Sequence, residues 1–78
     1  MEQSRKTELK ESIIEALKDV KTSRCVEDIL EEGAWKKGLH PESEELSKVF
    51  NELIKENKVV VHILWDGYDY HLHFGPAK

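Results

Sequence analysis

The sequence predicts an α+β domain in which three helices precede a two-stranded β-hairpin. Up to about residue 54, apolar residues recur every three or four positions, the period of a helix with one buried face. After residue 58 the period changes to two. Asp66-Gly67 then lies between two runs of β-branched and aromatic residues, which is the strongest short signal for a hairpin.

The length of 78 residues and the hydrophobic fraction of 38% allow one small domain. We expect a flexible N-terminus at residues 1–6, the folded domain at 7–74 and a C-terminal tail at 75–78. The first residues are charged and contain no apolar core, so they do not predict a signal peptide, and no apolar run approaches the ~20 residues that span a bilayer. Cys25 is the single cysteine and cannot form an internal disulfide. These features favour a cytoplasmic location.

Each helix has its own sequence signals. The first is predicted over residues 7–20. The second follows an N-cap at Thr22 or Ser23 and continues to Gly38, which is typical of a glycine C-cap. The third has Pro41 in its first turn, where the missing N–H has no partner in any case. The predicted core comprises Leu9, Ile13, Leu17, Ile29, Leu30, Leu46, Val49, Phe50, Leu53, Val61, Ile63, Tyr70 and Leu72.

A two-residue turn at Asp66-Gly67 would fix the register of the hairpin. One face would then be wholly apolar or aromatic and is expected to pack on the helices. The other face would place His62 opposite His71, with His73 further along the same strand, so three of the four histidines of the chain would share one face.

The segment ELSKVFNELIKENKVVV runs from the third helix straight into the first strand, and WDG follows at the tip of the hairpin. With these features the chain resembles the winged helix-turn-helix superfamily over residues ~7–74. The resemblance implies a small winged helix domain whose hairpin is the wing. It also implies a DNA-binding protein of the transcriptional-regulator type, because in DNA-binding members the third helix enters the major groove and the wing touches the backbone.

The charges of the third helix leave two functions open. Its outward face would carry Glu44 and Glu45 at the end nearest the DNA, and they would repel phosphates. The tip of the hairpin has no Lys or Arg, and the net charge is −4. The alternative is an acidic winged-helix module for protein docking or dimerisation. The candidate contacts to double-stranded DNA are Lys48, Asn51 and Lys55 on the third helix, and Arg24, Lys36 and Lys37 on flanking phosphates.

The histidines have three interpretations. They could be ordinary polar residues on a solvated face. They could bind zinc, the one cofactor that the sequence suggests, through His62, His71 and His73 with Asp69 as a fourth ligand. They could instead belong to a contact surface for a partner protein or a second subunit. That surface would comprise Val60, His62, Leu64, His71 and His73, with Trp65 near the tip. No catalytic constellation or small-molecule site is predicted, so we do not expect an enzyme.

Overall fold

A computed structural model of the chain describes residues 2–77, with side chains from residue 4 onward. The predicted α+β architecture is confirmed, and it is consistent with a small winged-helix layout. Within these residues, no helix is both long and apolar enough to cross a bilayer. The elements are α1 (Glu2–Leu17), β1 (Arg24–Cys25), α2 (Val26–Glu32), a 3-10 turn (Trp35–Lys37), α3 (Ser43–Lys55), β2 (Val59–Trp65) and β3 (Tyr70–Pro76).

The regular structure extends beyond the predicted limits of the domain at both ends. Helix α1 begins at Glu2, where a flexible segment was predicted, and ends at Leu17, three residues before the predicted end. Strand β3 continues to Pro76, inside the predicted tail. The outermost predicted residues, Met1 and Lys78, lie outside the described part of the chain.

The sheet has three antiparallel strands in the order β1-β3-β2. Strand β1 was not predicted. Its two residues pair with β3, Arg24 opposite Phe74 and Cys25 opposite His73. Because the chain is extended here, α2 starts later than predicted, and its N-cap is Cys25 without a side-chain hydrogen bond, in place of Thr22 or Ser23.

The core lies between the three helices and the base of the hairpin. Phe50 of α3 stacks on Phe74 of β3 with ring centroids 4.2 Å apart, which joins the helical layer to the sheet. Leu46, a predicted core residue, is half-buried against this cluster. The buried apolar side chains are Leu9, Ile13, Leu17, Ile29, Leu30, Ala34, Leu39, Val49, Phe50, Leu53, Val59 and Phe74.

Helix α2 ends at Gly33, five residues before the predicted glycine cap. A Cβ at Gly33 would lie 2.5 Å from the carbonyl oxygen of Ser12, so α1 and α2 approach each other closely at this point. Ser12 is fully buried there, and its hydroxyl donates to the carbonyl of Leu9 at 2.8 Å. Gly38 does adopt the left-handed conformation, φ 78°, but it caps the 3-10 turn.

Helix α3 begins at Ser43 after an extended Glu42, so Pro41 precedes the helix and is not in its first turn. The helix ends where Asn57 adopts a left-handed φ of 59°, a conformation that asparagine tolerates. The N–H of Lys58 then donates to the carbonyl of Leu53 at 2.9 Å, and β2 starts one residue later. This short exit fixes the position of the hairpin relative to α3.

Candidate interaction surface on the hairpin

The hairpin is closed by four residues, 66–69, and not by the predicted two. Strands β2 and β3 pair with Trp65 opposite Tyr70, Ile63 opposite Leu72 and His62 opposite His73. The predicted pairing was therefore wrong by two residues. Because side chains alternate with a period of two, a shift of two leaves every residue on its predicted face.

The carboxylate of Asp66 explains the wider turn. Its Oδ1 accepts hydrogen bonds from the backbone N–H groups of Tyr68 and Asp69, both at 2.7 Å. Its Oδ2 lies 2.6 Å from Nε2 of His71. The backbone bonds from Asp69 and Tyr68, followed by the contact with His71, lower the pKa of Asp66 from its ordinary 3.8 to about 2. Asp66 thus closes and orders the tip of the hairpin.

One face of the hairpin is apolar and exposed beyond its base. We call it the apolar hairpin face; it consists of Val61, Ile63, Trp65, Tyr70 and Leu72. Ile63 is 65% exposed, Tyr70 66% and Trp65 58%, and the rings of Trp65 and Tyr70 pack together with centroids 4.7 Å apart. No charged side chain belongs to this face.

Four residues of this face, Val61, Ile63, Tyr70 and Leu72, were predicted to lie in the core, and that prediction was wrong. On this side of the hairpin the helices cover only Val59 and Phe74, at its base. The rest of the face is exposed, and the molecule is elongated, measuring 42 Å by 25 Å by 21 Å. The alternating pattern identified the face correctly, but the helices pack only against its base.

The opposite face carries five of the six residues predicted as a partner surface; the sixth, Trp65, lies on the apolar hairpin face. We call Val60, His62, Leu64, His71 and His73 the histidine face. Its side chains are exposed except for His73, which is half-buried. His62 lies opposite His73, and His71 lies opposite Leu64, so the predicted pair of His62 and His71 does not form.

The four predicted zinc ligands, His62, His71, His73 and Asp69, are not brought together as a metal site. Among residues 2–77 no group of three or more His, Cys, Asp or Glu side chains is arranged to hold a metal ion. His71 is bonded to Asp66, and the Oδ1 of Asp69 accepts the N–H of Tyr70 at 2.8 Å. His62 and His73 do lie opposite each other, with His71 two residues along β3, whereas Asp69 lies in the turn and outside both strands.

Several of the predicted DNA-contacting cations are paired with carboxylates of the same chain. The Nζ of Lys36 lies 3.3 Å from Glu32, and that of Lys37 lies 3.4 Å from Glu15. Lys48 lies 3.9 Å from Glu44, one turn earlier on α3. The remaining candidates are Asn51 and Lys55, both exposed on α3, and Arg24, half-buried in β1.

The other acidic side chains of α3, and Glu56 directly after it, face α1. Arg5 donates to Glu45 at 2.8 Å. Lys10 lies 3.0 Å from Glu52 and 2.8 Å from Glu56, and Lys6 also pairs with Glu52. Hydrogen bonds from Lys6 and Lys10 lower the pKa of Glu52. The basic residues of α1 are therefore used within the fold, and they add no positive surface for phosphates.

No family model, no curated protein and no solved structure matches this chain.

Proposed function

We propose that this chain is a protein-interaction module whose contact surface is the hairpin beyond its base. The observation that carries the proposal is the exposed apolar hairpin face. Trp65 and Tyr70 alone leave on the order of 250 Å² exposed, given the 150–250 Å² that each aromatic side chain can bury. Val61, Ile63 and Leu72 extend the patch to the ~300–600 Å² of the largest apolar patch on a typical monomer, which is often a functional site.

The order of this surface supports a specific contact. The Asx-type turn of Asp66 and the packing of Trp65 on Tyr70 hold the tip in one conformation. A surface that is ordered before binding loses little conformational entropy when a partner docks. Exposed Trp and Tyr are the residue types most enriched in the parts of interfaces that contribute most binding energy.

DNA binding is the second candidate, since the layout is consistent with a winged helix and Lys55 and Asn51 are exposed on α3. The charges support it less well. Lys36, Lys37 and Lys48 are near carboxylates, and the hairpin from residue 59 to 76 carries two Asp and no Lys or Arg. A phosphate-binding surface needs concentrated positive charge.

We place the module in the cytoplasm, because its single cysteine cannot form the internal disulfide that is typical of small secreted domains.

Site-specific photo-crosslinking tests the proposal against its alternative. A benzophenone amino acid is placed at Leu72 on the apolar hairpin face, or at Glu44 on the outward side of α3 as the matched control. Both variants are irradiated in an extract of cells that express the chain. We expect protein adducts from position 72 and few from position 44.

The DNA alternative is tested in parallel by the anisotropy of a labelled duplex at ~20 mM salt, where screening is weak. Phosphate contacts would give a duplex affinity that falls steeply as salt is added. We expect no such salt-sensitive binding. Nucleic-acid adducts from position 44, together with salt-sensitive duplex binding, would contradict the protein-interaction module.

A further inference from the structure

The outer edge of β2 is open. The sheet order β1-β3-β2 leaves β2 at an edge, and within the described residues its seven residues make no backbone hydrogen bond beyond the ladder with β3. Natural proteins usually protect such an edge with Lys, Pro, a bulge or a covering element. Strand β2 reads VVVHILW and contains neither Lys nor Pro.

The charges at the two ends of β2 are opposite. Exposed Lys58 precedes the strand, and Asp66, whose side chain is about half exposed, follows it. His62 is the central residue of the seven. His62 has three apolar residues on each side. Beyond them lies one charged residue at each end, Lys58 before the strand and Asp66 after it.

We propose that the partner of the hairpin is a second copy of this chain, joined by antiparallel pairing of the two β2 edges about a two-fold axis at His62. The inference rests on the proposed function and names its partner. In this pairing Lys58 of each copy lies opposite Asp66 of the other, and Val61 lies opposite Ile63. Moving the axis to Ile63 would set Val60 opposite Asp66, and moving it to Val61 would set Leu64 opposite Lys58. Either shift would separate Lys58 from Asp66.

Two-fold symmetry is compatible with the chemistry of the strand. A residue on the axis meets its own copy, so a permanently charged side chain there would repel itself. The residue at the centre is His62, and its neighbours on both sides are apolar. Edge pairing would satisfy backbone groups of both strands and form one continuous six-stranded sheet.

The pairing also accounts for the exposed tip. Trp65 of each copy would lie opposite Val59 of the other, and Val59 is 2% exposed because the helical layer of its own copy covers it. An axis perpendicular to the sheet keeps both helical layers on the same side. The exposed end of each apolar hairpin face would therefore lie beside the helices of the second copy, with α3 nearest to β2.

Disulfide trapping tests the axis directly. Paired residues across antiparallel strands have Cα atoms ~4.5–5.5 Å apart, within the range that a disulfide spans. On a Cys25→Ser background, which suits the N-cap position of α2, His62→Cys should cross-link to itself under oxidised glutathione. The matched control, Leu64→Cys, should form no disulfide-linked dimer because its counterpart is Val60, while a mixture of Leu64→Cys and Val60→Cys should cross-link.

Sedimentation velocity of the unmodified chain over a concentration series is the second measurement, and we expect the mass of a dimer at high concentration. Equal cross-linking of His62→Cys and Leu64→Cys, or a monomer at every concentration, would overturn the inference. If the chain is a monomer but position 72 forms adducts with another protein, the proposed function stands and the second copy is rejected. If position 72 forms no protein adduct either, both proposals fail.

Discussion

Replacing Phe50 by alanine is expected to remove much of the stability of the domain. The side chain is 5% exposed and stacks on Phe74, so the change leaves a cavity at the junction of α3 and the sheet. A buried Phe→Ala substitution costs ~3–5 kcal/mol, a range that includes the lost contact with the ring of Phe74. At roughly 0.05–0.15 kcal/mol per residue, a chain of this length has only ~4–12 kcal/mol in total.

Ile63→Ala is the matched control, because sequence periodicity places Ile63 in the core and the structure leaves it 65% exposed. A surface substitution of this kind should change the free energy of unfolding by only ~0.5 kcal/mol. Both variants are compared with the parent by urea denaturation followed by far-UV circular dichroism, at low concentration so that self-association does not contribute. A Phe50→Ala midpoint close to that of the parent, or an Ile63→Ala loss as large as that of Phe50→Ala, would refute the packing described above.

Three further changes probe the base and the tip of the hairpin. Gly75→Ala should destabilise the domain by ~1–3 kcal/mol in the same urea titration, because its Cβ would lie 2.1 Å from the carbonyl oxygen of Thr22. The pKa of Asp66 is lowered from 3.8 to about 2, so its carboxylate should stabilise the tip fully above pH 3.8 and lose this effect as the pH falls towards 2. The amide chemical shifts of the tip, followed over this pH range, measure the loss. Asp66→Asn keeps an oxygen acceptor and should show no such transition; a transition that persists in this variant would assign it to another group. Lys58→Glu should weaken dimerisation in sedimentation, and an unchanged dimer would exclude the pairing with Asp66.

The sequence predicted the fold class and the buried side of α3, because Val49, Phe50 and Leu53 follow a helical period without interruption. It also assigned each hairpin residue to the correct face. Strand β1 could not be predicted, because two residues are too few to establish a period. The turn was predicted too short, because the acceptor that closes it is the side chain of Asp66, while the Asp-Gly pattern describes the backbone alone.

The largest difference between the prediction and the structure concerns which hairpin residues are buried. Alternation identifies which hairpin residues share a face, but it does not reveal how far the helical layer reaches along that face. Ile63 and Leu72 were therefore placed in the core although they lie beyond it. The pairing of Lys37 with Glu15 was equally invisible in the sequence, since it joins positions that are 22 residues apart.

Nuclear magnetic resonance of the uniformly nitrogen-labelled chain tests the central claim most directly, because one spectrum reports on the hairpin and on α3 together. The labelled chain is titrated first with unlabelled chain and then with a non-specific duplex at low salt. We expect added chain to shift the amides of residues 58–72, and the duplex to leave those of Lys48, Asn51 and Lys55 unchanged. Shifts at these three residues on adding duplex, with a hairpin that does not respond to added chain, would contradict a protein-interaction module that pairs with its own copy.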